Sequence, residues 1–133
     1  PVEEINPDSD TIENIVIMVK RSLAFWEKYG PIMKDGFTFE GGYTDIVSSG
    51  DGDYLTKDTL WDFKVSKDEP KSKYTLQLLM YYIMGCHSIH HEFKEIEKLG
   101  IFNPRKNKVY IANISSISSE IIEKVSQEII GYK

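Results

Sequence analysis

Cysteine is all but missing from this chain, and Cys86 stands alone. That excludes an internal disulfide framework and a four-cysteine iron–sulfur or metal cluster. With no cationic-then-apolar leader in view, it points to a reducing, cytoplasmic setting. Long apolar runs are missing too. None approaches the roughly 20 residues that span a bilayer, so no membrane partner is expected. Positive charge is in the minority, with 16 Lys and Arg against 21 Asp and Glu and a net charge of −5. This argues mildly against a surface built to grip nucleic acid broadly. Internal repeats, low-complexity stretches and convincing linkers are also lacking. At 133 residues, 41% of them hydrophobic, the chain reads as one globular domain, 1–133. It opens on Pro1 rather than methionine, so the expectation is a piece of a longer protein, with room for a further domain before residue 1.

What is present falls into clear segments. Residues 8–29 carry Ile12, Ile15, Val16, Val19, Leu23 and Trp26 at helical spacing, predicting one inward apolar stripe. Asp10 is the expected N-cap, with Glu13 three positions on, and Gly30-Pro31 ends the helix. A strand interrupted at Gly41-Gly42 is predicted over 37–47, then a hairpin of 52–56 and 58–66 turning near Lys57-Asp58. A second helix runs from about Ser72 to Gly85, apolar nearly all round and so expected to be buried. A short helix over 89–98 follows, then a second hairpin turning at Asn103-Pro-Arg-Lys-Asn107. A closing helix over 118–130 is capped by Ser118 or Ser119, with Ile121, Ile122, Val125 and Ile129 inward. Strands that meander first, with helices flanking them, give an α/β fold: a mixed central sheet between helices.

The stretch Thr59-Leu-Trp-Asp-Phe-Lys64 carries the chemistry. Alternation along a strand puts Leu60, Asp62 and Lys64 on one face and Thr59, Trp61, Phe63 and Val65 on the other. Large apolar residues on both faces indicate an inner strand. Charges in such a place are costly unless they pair, bind a metal or react. Asp53 lies just upstream. Two carboxylates converging from neighbouring strands make a hard oxygen site suited to Mg²⁺ or Mn²⁺, and the Phe63 carbonyl is a candidate third ligand. Lys64 projects to the same side, where an ammonium can orient water or stabilise charge on a phosphate. On the second helix, Gln77 and Tyr81 are four apart and share a face. If buried, that glutamine must find partners.

Gly50-Asp-Gly-Asp53, Thr59-Leu-Trp-Asp62-Phe-Lys64 and Gln77-Leu-Leu-Met-Tyr81 together resemble the PD-(D/E)XK nuclease superfamily, most closely its RecB-like branch. The resemblance spans residues 37–112. It implies an αβββαβ restriction-endonuclease-like core and Mg²⁺-dependent hydrolysis of DNA phosphodiesters, in bacterial or phage DNA processing, repair or defence. It also implies a catalytic set of Asp53, Asp62, Lys64 and Gln77. Gly52 stands where the superfamily name has proline. Asp45, after Gly42-Tyr-Thr, rivals Asp53 as first ligand. Glu13 and Glu27 are both open as the acid that the first helix often adds.

Blander readings compete. Asp62 and Lys64 can form a structural ion pair, and Tyr81 can be a core aromatic. Lys64, Lys67, Lys71 and Lys73 can be a solvated loop. Tyr81, Lys67 and Arg105 are candidate phosphate contacts, although Arg105 fits a hairpin turn as well. Cys86, His87, His90 and His91 lack zinc-ligand spacing. Tyr43, Tyr54 and Trp61 read as packing residues. The leading expectation is a DNA-cleaving domain. The alternative is a catalytically silent nuclease-fold module that binds DNA or a protein partner.

Overall fold

The computed structural model describes residues 8–133. Five strands form one mixed sheet in the order β1-β2-β3-β4-β5: β1 (Lys34–Phe37), β2 (Gly52–Leu55), β3 (Thr59–Phe63), β4 (Lys98–Asn103) and β5 (Lys108–Asn113). Neighbours are antiparallel except β3 and β4, which run parallel. Among the described residues, three helices accompany them: α1 (Ser9–Tyr29), α2 (Ser72–His87) and α3 (Ser119–Lys124). The parallel pair needs a crossover, and α2 with a 3-10 turn at His91–Glu95 supplies it. The α/β fold with a mixed central sheet flanked by helices is therefore observed.

β3 is the inner strand that its two apolar faces predict. Leu60 and Trp61 point to opposite sides, and at most 1% of either is exposed. Leu60 joins Leu55, Leu78, Leu79, Ile83, Met84 and Leu99 in the larger core, on the α2 side. Trp61 joins Phe25 and Phe102 in a second, aromatic core on the α1 side. The indole fits because β4 carries Gly100 opposite it, where a Cβ would come within 2.4 Å of the ring. Its N–H donates to Thr56 Oγ1 at 3.0 Å, which satisfies a polar atom sealed in the core.

Several local expectations are corrected. The N-cap of α1 is Asp8, whose carboxylate accepts from the Thr11 N–H at 2.7 Å. The first strand lies earlier than 37–47. It ends at Phe37, and the chain from Thr38 to Asp51 is irregular, turning through Gly41 at φ 90°. The α1 stripe is not inward along its length: Ile12, Ile15, Val16, Val19 and Leu23 are exposed, and Phe25 is the buried residue of the helix. α2 runs two residues beyond Gly85 and leaves Leu76 and Gln77 exposed. Ser118 caps α3 as expected. Beyond Lys124 the helix continues in π-helical form over Val125–Ile130. The wider turn puts Val125 and Ile130, five apart, on one buried seam and leaves Ile129 exposed, as Ile121 is in α3.

Candidate active site

The β2–β3 hairpin sets the site. Its register pairs Tyr54 with Trp61 and Leu55 with Leu60, so one step further along the ladder Asp53 stands opposite Asp62. Both carboxylates then share the α2 face, because alternation sends Tyr54 and Trp61 to the α1 face. Asp53 Oδ2 accepts the Phe63 N–H at 3.0 Å. A strand residue's N–H and C=O lie along the same edge, so the Phe63 carbonyl faces the Asp53 strand as well. Lys64, just past the end of β3, reaches back to Asp62, with Nζ 3.5 Å from Oδ2. Its ammonium also lies 4.7 Å from the ring centroid of Tyr74, at the start of α2, an attraction between cation and ring face.

The electrostatics of this group are unbalanced. Two acids share one amine. Burial pushes the Asp62 carboxyl up to about 7, and the hydrogen bond and charge of Asp53 add to the rise against the opposing pull of Lys64. The Asp62 side chain is only 19% exposed, so water does little to relieve the crowding. Two carboxylates and a carbonyl edge are hard oxygen donors, a set that fits a small divalent cation completing its shell with water. Among the described residues, no group of three or more His, Cys, Asp or Glu side chains gathers to hold a metal, so the donor set ends at this pair of acids and the backbone.

The other candidates separate. Asp45 is exposed in the irregular segment before β2, and the hairpin, not that segment, brings an acid to Asp62. Glu13 and Glu27 are exposed on α1, which packs on the Trp61 face rather than the Asp62 face. Gln77 is exposed, and its amide donates to the Tyr81 hydroxyl at 3.3 Å. The buried glutamine that would need a partner is thus not what the fold contains. Tyr81 itself lies against Gly50, where a Cβ would sit 3.0 Å from Cε1, and 5.0 Å from the Phe39 ring. The Gly50-x-x-Asp53 and Gln77-x-x-x-Tyr81 elements therefore meet through Gly50 and Tyr81. Lys67 is exposed in the loop between Lys64 and α2. Arg105 is exposed at the β4–β5 turn and lines a cavity of about 470 Å³ with Thr11, Ile15 and Arg21 of α1, away from the acids. His87 and His90 bond the carbonyls of Ile83 and Thr38. Tyr54 and Trp61 are packed in the aromatic core, and Tyr43 bonds backbone at Phe39 and Gly50.

The loop between Lys64 and α2 carries a contact that sequence reasoning missed. Glu69 meets Lys106 Nζ at 2.8 Å, Lys108 Nζ at 3.5 Å and the Tyr110 hydroxyl. Spacing could have shown that Lys108 and Tyr110 share one face of a strand. Nothing local could have shown which acid they meet some 40 residues away. Compared with known proteins, the chain matches no family model, no curated protein and no solved structure.

Proposed function

We propose that this domain is a metal-dependent nuclease of the PD-(D/E)XK type, RecB-like, that hydrolyses DNA phosphodiester bonds. The observation that carries the reading is the facing pair Asp53 and Asp62, with the Lys64 ammonium 3.5 Å from Asp62, on a half-buried sheet face where Asp62 resists ionisation. Such a pair invites a cation, since neither acid can discharge the other. Asp53, Asp62 and the Phe63 carbonyl would hold Mg²⁺ or Mn²⁺, which lowers the pKa of water and offsets charge on the phosphate when bound. Lys64 supplies the complementary positive charge from the chain itself. From its place beside Asp62, it would orient the attacking water and stabilise the extra negative charge of the in-line transition state. Tyr81, fixed against Gly50, positions Gln77 at the rim, where it can contact the backbone of a bound strand. Lys67 stands on the loop leaving the site, in reach of the same strand.

A second reading has an observation of its own. Lys64 is turned onto Asp62, and Gln77 is exposed and bonded to Tyr81, as would suit a catalytically silent module that binds DNA or a protein partner. Plasmid and single-stranded DNA incubated with Mg²⁺ or Mn²⁺ separate the two. The nuclease reading expects cleavage that EDTA abolishes and that Asp62→Ala and Lys64→Ala each remove. Cation-independent cutting, or DNA binding with no cutting in either metal, overturns it. Calorimetry with Mn²⁺ tests the ligand pair, and heat unchanged in Asp53→Ala would count against it.

A further inference from the structure

Glu69 is an unusual partner for three donors at once. It sits on the loop joining Lys64 to α2, yet its carboxylate is held by Lys106 at the β4–β5 turn and by Lys108 and Tyr110 on β5. Two ammonium groups and a hydroxyl converging on one anion are the coordination a phosphate group takes. Their placement fits the candidate active site. The sheet register runs Asp62 to Ile101 on β4 and Ile101 to Tyr110 on β5. Asp53, Asp62, Ile101 and Tyr110 therefore form one row across the sheet, and Ile101 and Tyr110 both pack on the α2-side core. Tyr110 stands two strand spacings from Asp62, about 10 Å, and a small hollow of about 10 Å³ beside it is lined by Lys64, Asp68, Glu69 and Ile101 as well as Tyr110.

From this we infer that Lys106, Lys108 and Tyr110 form an anion subsite for a backbone phosphate of the bound nucleic-acid strand, occupied in the free protein by Glu69. The inference rests on the nuclease-fold reading for the path of that strand. The displacing step is easy. Glu69 is 60% exposed, and exposed ion pairs contribute little to stability. Lys106 and Tyr110 are half-buried on the β4–β5 hairpin, and Lys108 beside them is exposed. Lys106 and Tyr110 hold the Glu69 carboxyl down at about 2, so it keeps its charge and excludes other anions weakly but continuously. The loop that carries Glu69 also carries Lys67 and leads directly from Lys64, so the subsite and the acids are joined by one short segment.

The test is fluorescence anisotropy of a labelled single-stranded oligonucleotide over a salt series, with Ca²⁺ replacing Mg²⁺, beside plasmid cleavage in Mg²⁺. Glu69→Gln removes the competing charge and should tighten binding about two- to five-fold, the range of an exposed ion pair. Lys106→Gln with Lys108→Gln should weaken binding and flatten the salt slope by about 0.7 per lysine. Glu69→Gln should add nothing in that double background. Tyr110→Phe, which removes a donor without changing charge, should weaken binding less. Thermal melts confirm that each variant folds. An unchanged or weaker affinity in Glu69→Gln, or equal tightening with and without the lysines, overturns the subsite. If the wild type cuts DNA while Glu69→Gln is silent, the subsite falls and the nuclease reading stands. If nothing is cut but Glu69→Gln tightens binding through the lysines, the nuclease reading falls and the subsite stands. If no variant binds the oligonucleotide and nothing is cut, both fall.

Discussion

The two faces of the sheet are built from the same strands and do different things. On the α1 side, Phe25 of the helix lies 4.2 Å from Phe102 in a parallel stack and edge-on to Trp61 at 4.7 Å, with Trp26, Tyr29, Tyr54 and Phe63 around it. That face is dry and aromatic, and its polar handle, the Trp61 indole, is satisfied by Thr56. On the α2 side the core is mostly aliphatic, and at its edge the same β3 presents Asp62 and then Lys64. One strand thus supplies an anchor on its odd-numbered residues and a charged constellation on its even-numbered ones. Rigidity behind a site is what lets unfavourable charges stay together in front of it.

The largest effect that should divide the faces is Phe25→Ala. It removes the ring that meets Trp26, Tyr29, Trp61, Phe63 and Phe102 and should cost about 3–5 kcal/mol in urea unfolding. Any cleavage per folded molecule should be little changed. Asp62→Asn should do the opposite: cleavage in Mg²⁺ falls by about 10²–10³-fold or more, while metal-free stability holds or rises because the crowded acid pair is relieved. If Asp62→Asn destabilised the fold as much as Phe25→Ala, the second face would be structural and the nuclease reading would lose its basis.

This division also marks what the sequence could convey. Alternation over Thr59–Val65 made both faces of β3 legible, because period-two patterning needs no partner to be read. The hairpin turn near Lys57-Asp58 did the same for the Asp53–Asp62 pairing. The segment after Phe37 was not legible. Thr38, Phe39 and Tyr43 have strand-like side chains, but their backbone is committed elsewhere: Gly42 N–H to the Phe39 carbonyl, Ile89 N–H to that of Glu40. The position of Gln77 was hidden as well. Apolar residues surround α2 in sequence, yet only Leu78, Leu79, Ile83, Met84 and Gly85 are buried, and what covers a helix face is a long-range fact. The ties of Glu69 to Lys106, Lys108 and Tyr110 belong to the same class.

A pH experiment sharpens the comparison further. The Asp62 carboxyl titrates higher in the folded chain, about 7, than its ordinary value of 3.8, chiefly because it is buried and then because Asp53 adjoins it. The folded state therefore holds a proton that the unfolded chain gives up. Its contribution is fully present below pH 4 and is lost as pH rises towards 7. Metal-free stability should fall across that window, Asp62→Asn should abolish that part of the slope, and Phe25→Ala should leave the slope in place while lowering the whole curve. Saturating Mg²⁺ should flatten it, since a bound cation favours the ionised pair.

The smallest expected effect lies on α1 itself. Leu23 is 64% exposed while Phe25, two residues on, is 4% exposed, although both are large and apolar in the same helix. Sequence periodicity treats Leu23 as part of the stripe that should face the core. With most of its surface in water, its side chain hides little on folding, so hydrophobic transfer contributes little there. Leu23→Gln keeps helix propensity and should change unfolding free energy by no more than about 0.5 kcal/mol. A loss above 1 kcal/mol at low protein concentration would mean that the exposed half of the helix packs against more of its own chain than this fold provides. A loss that grew with concentration, read by sedimentation alongside unfolding, would instead place the partner in a second molecule.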